Sequence, residues 1–300
     1  MIKNLVSVII PTCNRSSMLK LAVDSIYNQT YKNIEVIIIA NGCTDDTAEV
    51  VSKLQSEYQG IVFLNYQESL GGAEARNKGL DIAKGEYIAF LDDDDVWIDN
   101  KLKMQLEVLK QDKYVIVSCA YNIVYEGSNK QRIIKHKKHI ISVDDMLYSN
   151  VLGSFSFCVT KMSYIDNLRI NKDLKANQDW DLWLKVLIKN NMKGYILDTV
   201  LVNYLNHKKK ITTNYKNKIE AEKFFLEVWK KLFSKNSIEY RNMNIDFWKM
   251  MNGEVKHYIS NLHRYFFIII KSPFVFDFST YYIYLLRPLK NIIKLIKTNE

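Results

Sequence analysis

The chain has 300 residues, 48% hydrophobic and 25% charged, with only 3 Pro and 10 Gly; this excludes disordered, collagen-like and Pro-rich classes and allows one large domain or two small ones. The formal net charge is +9, yet residues 201–300 hold 18 Lys plus Arg against 8 Asp plus Glu, so the first 200 residues are close to neutral. Basic character gathered at one end points to an anionic partner surface, either phospholipid headgroups or nucleic acid.

At the N-terminus the run Leu5 to Ile10 is stopped by Pro11, too short for a signal-peptide core. Val6 to Ile10 reads as a strand, and Leu19, Ala22, Val23 and Ile26 follow at helical spacing behind a Ser16/Ser17 cap. Ile34 to Ile39 is a second strand, with Thr44 or Asp45 capping a helix that carries Val50, Val51 and Leu54. Ile61 to Leu64 is a third strand, and a helix from Ala73 to Lys84 follows the Gly71-Gly72 turn. Glu86 to Leu91 is a fourth; then come four aspartates, a helix with Leu102, Leu106 and Leu109, and the strand Tyr114 to Cys119. Continuous apolar strands alternating with helices predict an α/β fold with a mostly parallel sheet flanked by helices. Beyond it, Ser154 to Thr160 reads as a strand, Gln178 to Lys189 as a helix, Tyr195 to Tyr204 as an extended segment, and the chain from Asn214 as helical, aromatic and basic. Tyr265 to Leu286 is interrupted by Lys271, Pro273 and Asp277, short of the roughly 20 apolar residues a spanning helix needs. Leu289, Ile292, Ile293 and Ile296 repeat at helical spacing among Lys290, Lys294 and Lys297, which fits an interfacial helix and a packed core helix equally.

Cys13, Cys43, Cys119 and Cys158 are widely spaced and read as reduced residues of a cytosolic protein. His136 and His139 stand among Lys135, Lys137 and Lys138, where positive charge opposes a metal, and read as exposed. No dinucleotide glycine motif, P-loop or RNA-binding signature occurs. Chemistry gathers instead at Asp92, Asp93, Asp94 and Asp95, directly after a strand. Four adjacent carboxylates repel one another, and hard oxygen donors suit Mg²⁺ or Mn²⁺. Parallel topology brings Pro11 to Arg15, Ala40 to Asp46 and Asp92 to Asp95 to one sheet edge, where open α/β sheets bind ligands.

Five segments in order, Ser7 to Arg15, Glu35 to Thr47, Gly71 to Asn77 with Gly79, Gly85 to Asp95 and Asn177 to Leu184, together resemble the family 2 inverting glycosyltransferases of the GT-A fold, across roughly residues 5–207. The resemblance implies that Pro11, Thr12, Asn14 and Arg15 cradle a nucleotide, with Asn41 where the family usually has an Asp that accepts the uracil N3 proton. It implies that Arg76 meets the donor phosphates, that Asp94 and Asp92 hold the metal, and that Asp92 and Asp93 contact the nucleotide. Asp93 and Asp95 are supporting, with Asp95 a candidate turn cap. His207 matches a family histidine near the metal or diphosphate, beside Lys208, Lys209 and Lys210. Asp179 matches the catalytic base, flanked by Gln178, where Glu is more usual, and by Trp180 and Asp181 on the acceptor side. Asp179 and Asp181 lie about 200° apart on a helix, so only one faces the crevice, and Asp179 is preferred.

The implied protein is a metal-dependent hexosyltransferase that moves a sugar, glucose as first guess, from a UDP-sugar to a saccharide on a lipid diphosphate of the undecaprenyl type. One displacement would give a β-linkage in O-antigen or capsule assembly, at the cytoplasmic face of the inner membrane. Expected boundaries are 1–207 for the catalytic domain (nucleotide half 1–120, acceptor half 121–207) and 208–300 for a helical, basic region. A catalytically silent sugar-nucleotide-binding subunit and a nucleotidyltransferase are the competing readings.

Overall fold

A computed structural model describes residues 1–206 and 214–254. Chain contacts divide it into two units, one of residues 1–146, 150–173 and 178–208, the other of 147–149, 174–177 and 209–300.

The first unit is built on a mixed sheet. Its elements begin with β1 (Ile2–Thr12), α1 (Ser16–Tyr27), β2 (Ile34–Asn41), α2 (Thr47–Glu57), β3 (Ile61–Tyr66), α3 (Gly72–Ile82) and β4 (Gly85–Phe90). Next come β5 (Asp95–Trp97), α4 (Lys101–Leu109), β6 (Tyr114–Tyr125), β7 (Gln131–Ile134), β8 (Ile140–Ile141) and α5 (Val143–Tyr148), whose last residues fall in the second unit. A 3₁₀ turn (Phe155–Phe157) leads to β9 (Val159–Lys161), α6 (Met162–Ile165), α7 (Gln178–Asn190) and β10 (Lys193–Asn206). The strand order is β3-β2-β1-β4-β9-β6-β10-β5, with β7 on β6 and β8 on β10.

The parallel block β3-β2-β1-β4 is the one the apolar runs predict, with Val8 opposite Val36 and Ala89. Val6, Val8, Ile9 and Ile10 are fully buried, as are Leu19, Ala22, Val23 and Ile26 of α1, each large side chain contributing about 1.5–3 kcal/mol. Close packing explains Gly79: a Cβ there would meet Ile9 Cγ2 at 2.4 Å, so only glycine lets α3 lie against β1. Polar groups inside are tied off. Ser7 Oγ donates to Glu35 Oε1 at 2.5 Å and accepts the Gly85 N–H at 2.8 Å. Lys101, fully buried, donates to Gln105 Oε1 at 2.7 Å and sits over the Trp97 ring, and burial lowers its pKa to about 8.

Three expectations need correction. Ser154 to Thr160 is not one strand: Ser154 accepts the Ser156 N–H and starts the 3₁₀ turn, so only Val159–Lys161 joins the sheet, antiparallel to β4 and β6. Helix α1 begins at Ser16 with Arg15 at its cap position, Asp46 rather than Thr44 or Asp45 takes that position in α2, and neither makes a side-chain cap bond. Asp45 still serves that helix, since its Oδ1 accepts the Thr47 N–H at 3.2 Å. His136 and His139 are half-buried, with His139 Nδ1 3.0 Å from the Ile196 carbonyl oxygen, and burial lowers the His136 pKa.

In the second unit, α8 (Tyr215–Val228) and α9 (Lys235–Met251) start at Asn214 and Ser234, whose side chains accept the N–H groups of Asn217 and Ser237. Arg241 donates to Glu222 Oε2 at 2.7 Å, wholly inside the unit, between the Phe225 and Phe233 rings. Among the described residues no helix is long and apolar enough to cross a membrane. His207, Lys208, Lys209, Lys210 and the segments 265–286 and 289–297 lie outside the described residues.

Candidate active site

The loops after β1, β2 and β4 meet at one sheet edge, and side chains tie them together. Asn14, at φ 55°, accepts the Thr44 and Asp45 N–H groups at 2.7 and 3.2 Å, binding the β1 loop to the β2 loop. Asn41 is buried, and its Oδ1 accepts the Leu70 N–H at 2.5 Å. That bond fixes the amide with its oxygen toward Leu70 and uses one of its two lone pairs. Pro11, half-buried, pairs with Ile39 near the end of β1.

The acidic run is the centre of the arrangement, and its four members have different jobs. Asp93 is buried; it accepts Thr12 Oγ1 at 2.8 Å and Arg15 at 2.9 Å, so it anchors the β1 loop. Burial raises its pKa despite the opposing pull of Arg15. Asp94 accepts from the same guanidinium at 3.1 Å. Asp92 pairs with Arg76, accepts Ser154 Oγ at 3.3 Å, and donates its own N–H to Ser156 Oγ at 3.0 Å. Arg76 in turn donates to the Gly72 carbonyl at 3.0 Å and lies over the Phe155 ring. Asp95 does not cap a turn: it opens β5, antiparallel to β10, and accepts the Leu205 N–H at 3.3 Å.

Carboxylate oxygens of Asp92, Asp94 and Asp95 lie within 4.8 Å of one another. This hard, all-oxygen donor set fits Mg²⁺ or Mn²⁺. Among the described residues, Arg15 pairs with Asp93 and Asp94, and Arg76 pairs with Asp92. Tyr204 registers that field: burial first, then the charges of Asp95, Asp92 and Asp94, raise its pKa.

Asp179 stands at the first turn of α7, only partly open to solvent. Loss of hydration pushes its carboxyl up to about 6, and the charge of Asp92 adds to the effect, while the Trp180 N–H and Arg76 oppose it. Gln178 opens the same helix and is half-buried. Trp180 and Asp181, expected on the acceptor side, turn inward instead. Trp180 is 5% exposed with Nε1 donating to the Met146 carbonyl at 2.7 Å; Asp181 is 0% exposed and paired with Lys185 at 2.5 Å. The helical angle that separates Asp179 from Asp181 leaves Asp179 half-buried and puts Asp181 in the core. Ser154, Ser156 and Tyr204 escaped the sequence reading, since they sit some 60 to 110 residues from the aspartates they serve and carry no local motif.

The model of Glycosyl transferase family 2 matches residues 7–168, more than half of the chain. The chain belongs to glycosyl transferase family 2. Within the family it is 27% identical to an uncharacterised glycosyltransferase of Methanocaldococcus jannaschii, over 91% of each chain. It is 29% identical to the putative teichuronic acid biosynthesis glycosyltransferase TuaG of Bacillus subtilis, over 71% of this chain and 83% of that one. A Campylobacter jejuni GalNAc(5)-diNAcBac-PP-undecaprenol beta-1,3-glucosyltransferase is 35% identical over 60% of this chain and 59% of its own. Among solved structures, Staphylococcus aureus TarS 1-349 with UDP-GlcNAc superposes at TM-score 0.61 with 15% identity, covering 81% of this chain and 71% of that one. The Pyrobaculum calidifontis mannosyltransferase PcManGT with GDP-Man and Mn²⁺ does so at 0.62 with 17% identity, covering 86% and 75%. These likenesses show the GT-A fold.

Proposed function

We propose that this family 2 glycosyltransferase moves a hexose, with inversion, from a UDP-sugar to a saccharide carried on a lipid diphosphate, in assembly of a surface polysaccharide. The observation that carries the reading is Asp179: a recessed carboxylate with its pKa raised to about 6, within the electrostatic reach of Asp92 and Arg76. A base so tuned accepts a proton near neutral pH yet is ionised at working pH. It takes the acceptor hydroxyl proton as that oxygen bonds to the anomeric carbon. The bond from that carbon to the donor diphosphate breaks on the opposite face, and nucleoside diphosphate leaves. One displacement inverts the centre, so an α-linked donor yields a β-linked product.

In this reading Asp94, Asp92 and Asp95 hold a divalent cation, which when bound neutralises charge on the diphosphate. The β1 loop from Pro11 to Arg15, with Asn41 and Asp93 behind it, frames the nucleotide, and Arg76 holds Asp92 in place beside the phosphates. Gln178 stands next to Asp179 to meet the acceptor. The C. jejuni relative is named for transfer onto an undecaprenol-linked glycan, which supports the lipid-borne acceptor class. TarS is described with UDP-GlcNAc and the mannosyltransferase with Mn²⁺, which supports a sugar nucleotide and a metal. The test is nucleoside diphosphate release from UDP-, GDP- and dTDP-sugars with a sugar-diphosphate-lipid acceptor, in Mn²⁺ or EDTA. The expected outcome is acceptor-stimulated release from a UDP-sugar alone, abolished by EDTA. Tight UDP binding without turnover on any acceptor would instead favour a silent binding subunit.

A further inference from the structure

One basic segment lies outside both the active site and the C-terminal third. No Asp or Glu occurs between Glu126 and Asp144, while Lys130, Arg132, Lys135, Lys137 and Lys138 all do. All five are exposed, and Ile133 among them is 60% exposed. Among the described residues Lys135 pairs with Asp198 at 3.4 Å and Lys138 with Asp145 at 2.7 Å. Lys130, Arg132 and Lys137 have no carboxylate within salt-bridge distance among the described residues. Because the first 200 residues are nearly neutral overall, this stretch is a local concentration of charge.

Lysines on an edge strand often serve only to discourage pairing with another chain. That role does not account for the charges of Lys135, Lys137 and Lys138, which follow β7, nor for an isoleucine presented to water on the strand itself. An exposed apolar side chain within a run of exposed lysines and arginine matches a bilayer interface, where cations meet lipid phosphates and the apolar group enters the acyl boundary.

The sheet register connects this surface to the chemistry. Arg132 pairs with Ile123 of β6, Ile123 with Tyr204 of β10, and Tyr204 with Asp95 of β5. Three strand spacings separate Arg132 from the metal-binding aspartates, about 14 Å along the sheet. We infer that the β6–β7 hairpin with Lys135, Lys137 and Lys138 docks on an anionic phospholipid surface, bringing the crevice to a lipid-borne acceptor. The inference rests on the acceptor class proposed above.

The experiment is sedimentation of the full-length chain with vesicles of phosphatidylcholine alone and with phosphatidylglycerol added. It compares wild type with Lys130→Ala/Arg132→Ala/Lys137→Ala and with Ile133→Asp. The wild type should bind only the anionic vesicles, less so at high salt. The triple variant should bind about 100-fold more weakly, at roughly fivefold per charge removed, and Ile133→Asp should weaken binding as well. Both variants should keep wild-type turnover on detergent-dispersed acceptor, which shows them folded, and lose it on vesicle-borne acceptor. Unchanged vesicle binding in the triple variant overturns the proposal. If wild type turns over no acceptor in either form, the transferase reading fails, while the vesicle comparison still decides the docking surface.

Discussion

Asp179 concentrates the reasoning at the scale of one residue, because a single environment governs both its chemistry and its cost. Burial raises its pKa from 3.8 to about 6. For a carboxyl with a raised folded pKa, the folded chain holds a proton that the unfolded chain has lost between those two pH values. Its contribution to stability is therefore present below about pH 4 and lost as pH rises through about 6. With Asp179 as the proposed base, activity runs the other way, since a base works only when ionised. The kcat/KM profile should fall about tenfold per pH unit below pH 6. Asp179→Asn should stop turnover while raising folding stability at pH 7 by about 2 kcal/mol, read by urea unfolding. A profile flat to pH 5, or a destabilised Asn variant, would contradict the environment assigned to this carboxyl. The spacing of Asp179 and Asp181 was legible in the sequence because helical geometry is local. Inward burial of Trp180 was not, because its partner is the carbonyl of Met146 in a distant helix.

Among elements, legibility followed length and periodicity. β1, β2 and β4 announce themselves through β-branched runs that only a doubly covered sheet accommodates, and α1 through its apolar spacing. The three-residue strands β5 and β9 do not, for they exist only because β10, β4 and β6 offer open edges. The Asp92 to Asp95 run shows the consequence: its place after a strand was readable, but the assignment of Asp95 to β5 depends on β10, more than 100 residues on. In the helical unit, α8 and α9 depend on Arg241 and Glu222, whose side chains are 0% and 4% exposed. Removing one partner strands a buried charge. Glu222→Gln should therefore cost about 3 kcal/mol of that unit's stability, measured by denaturant unfolding; a loss under 1 kcal/mol would show that the pair is dispensable.

For the whole molecule, charge is unevenly distributed along the chain. The sheet edge that carries the aspartates is ringed by polar loops, while positive charge collects on the β7 segment and in the C-terminal third. The net charge pointed to an anionic partner, yet composition alone could not separate these two basic regions, because exposure is a property of the folded chain. The central claim is direct displacement at the anomeric carbon with Asp179 as base. The measurement that tests it is the anomeric coupling constant, by NMR, of the sugar transferred from an α-linked UDP-sugar, with wild type beside Asp179→Asn. The account predicts a β-linked product from the wild type and none from the variant. An α-linked product, or a variant that transfers at the wild-type rate, would contradict it.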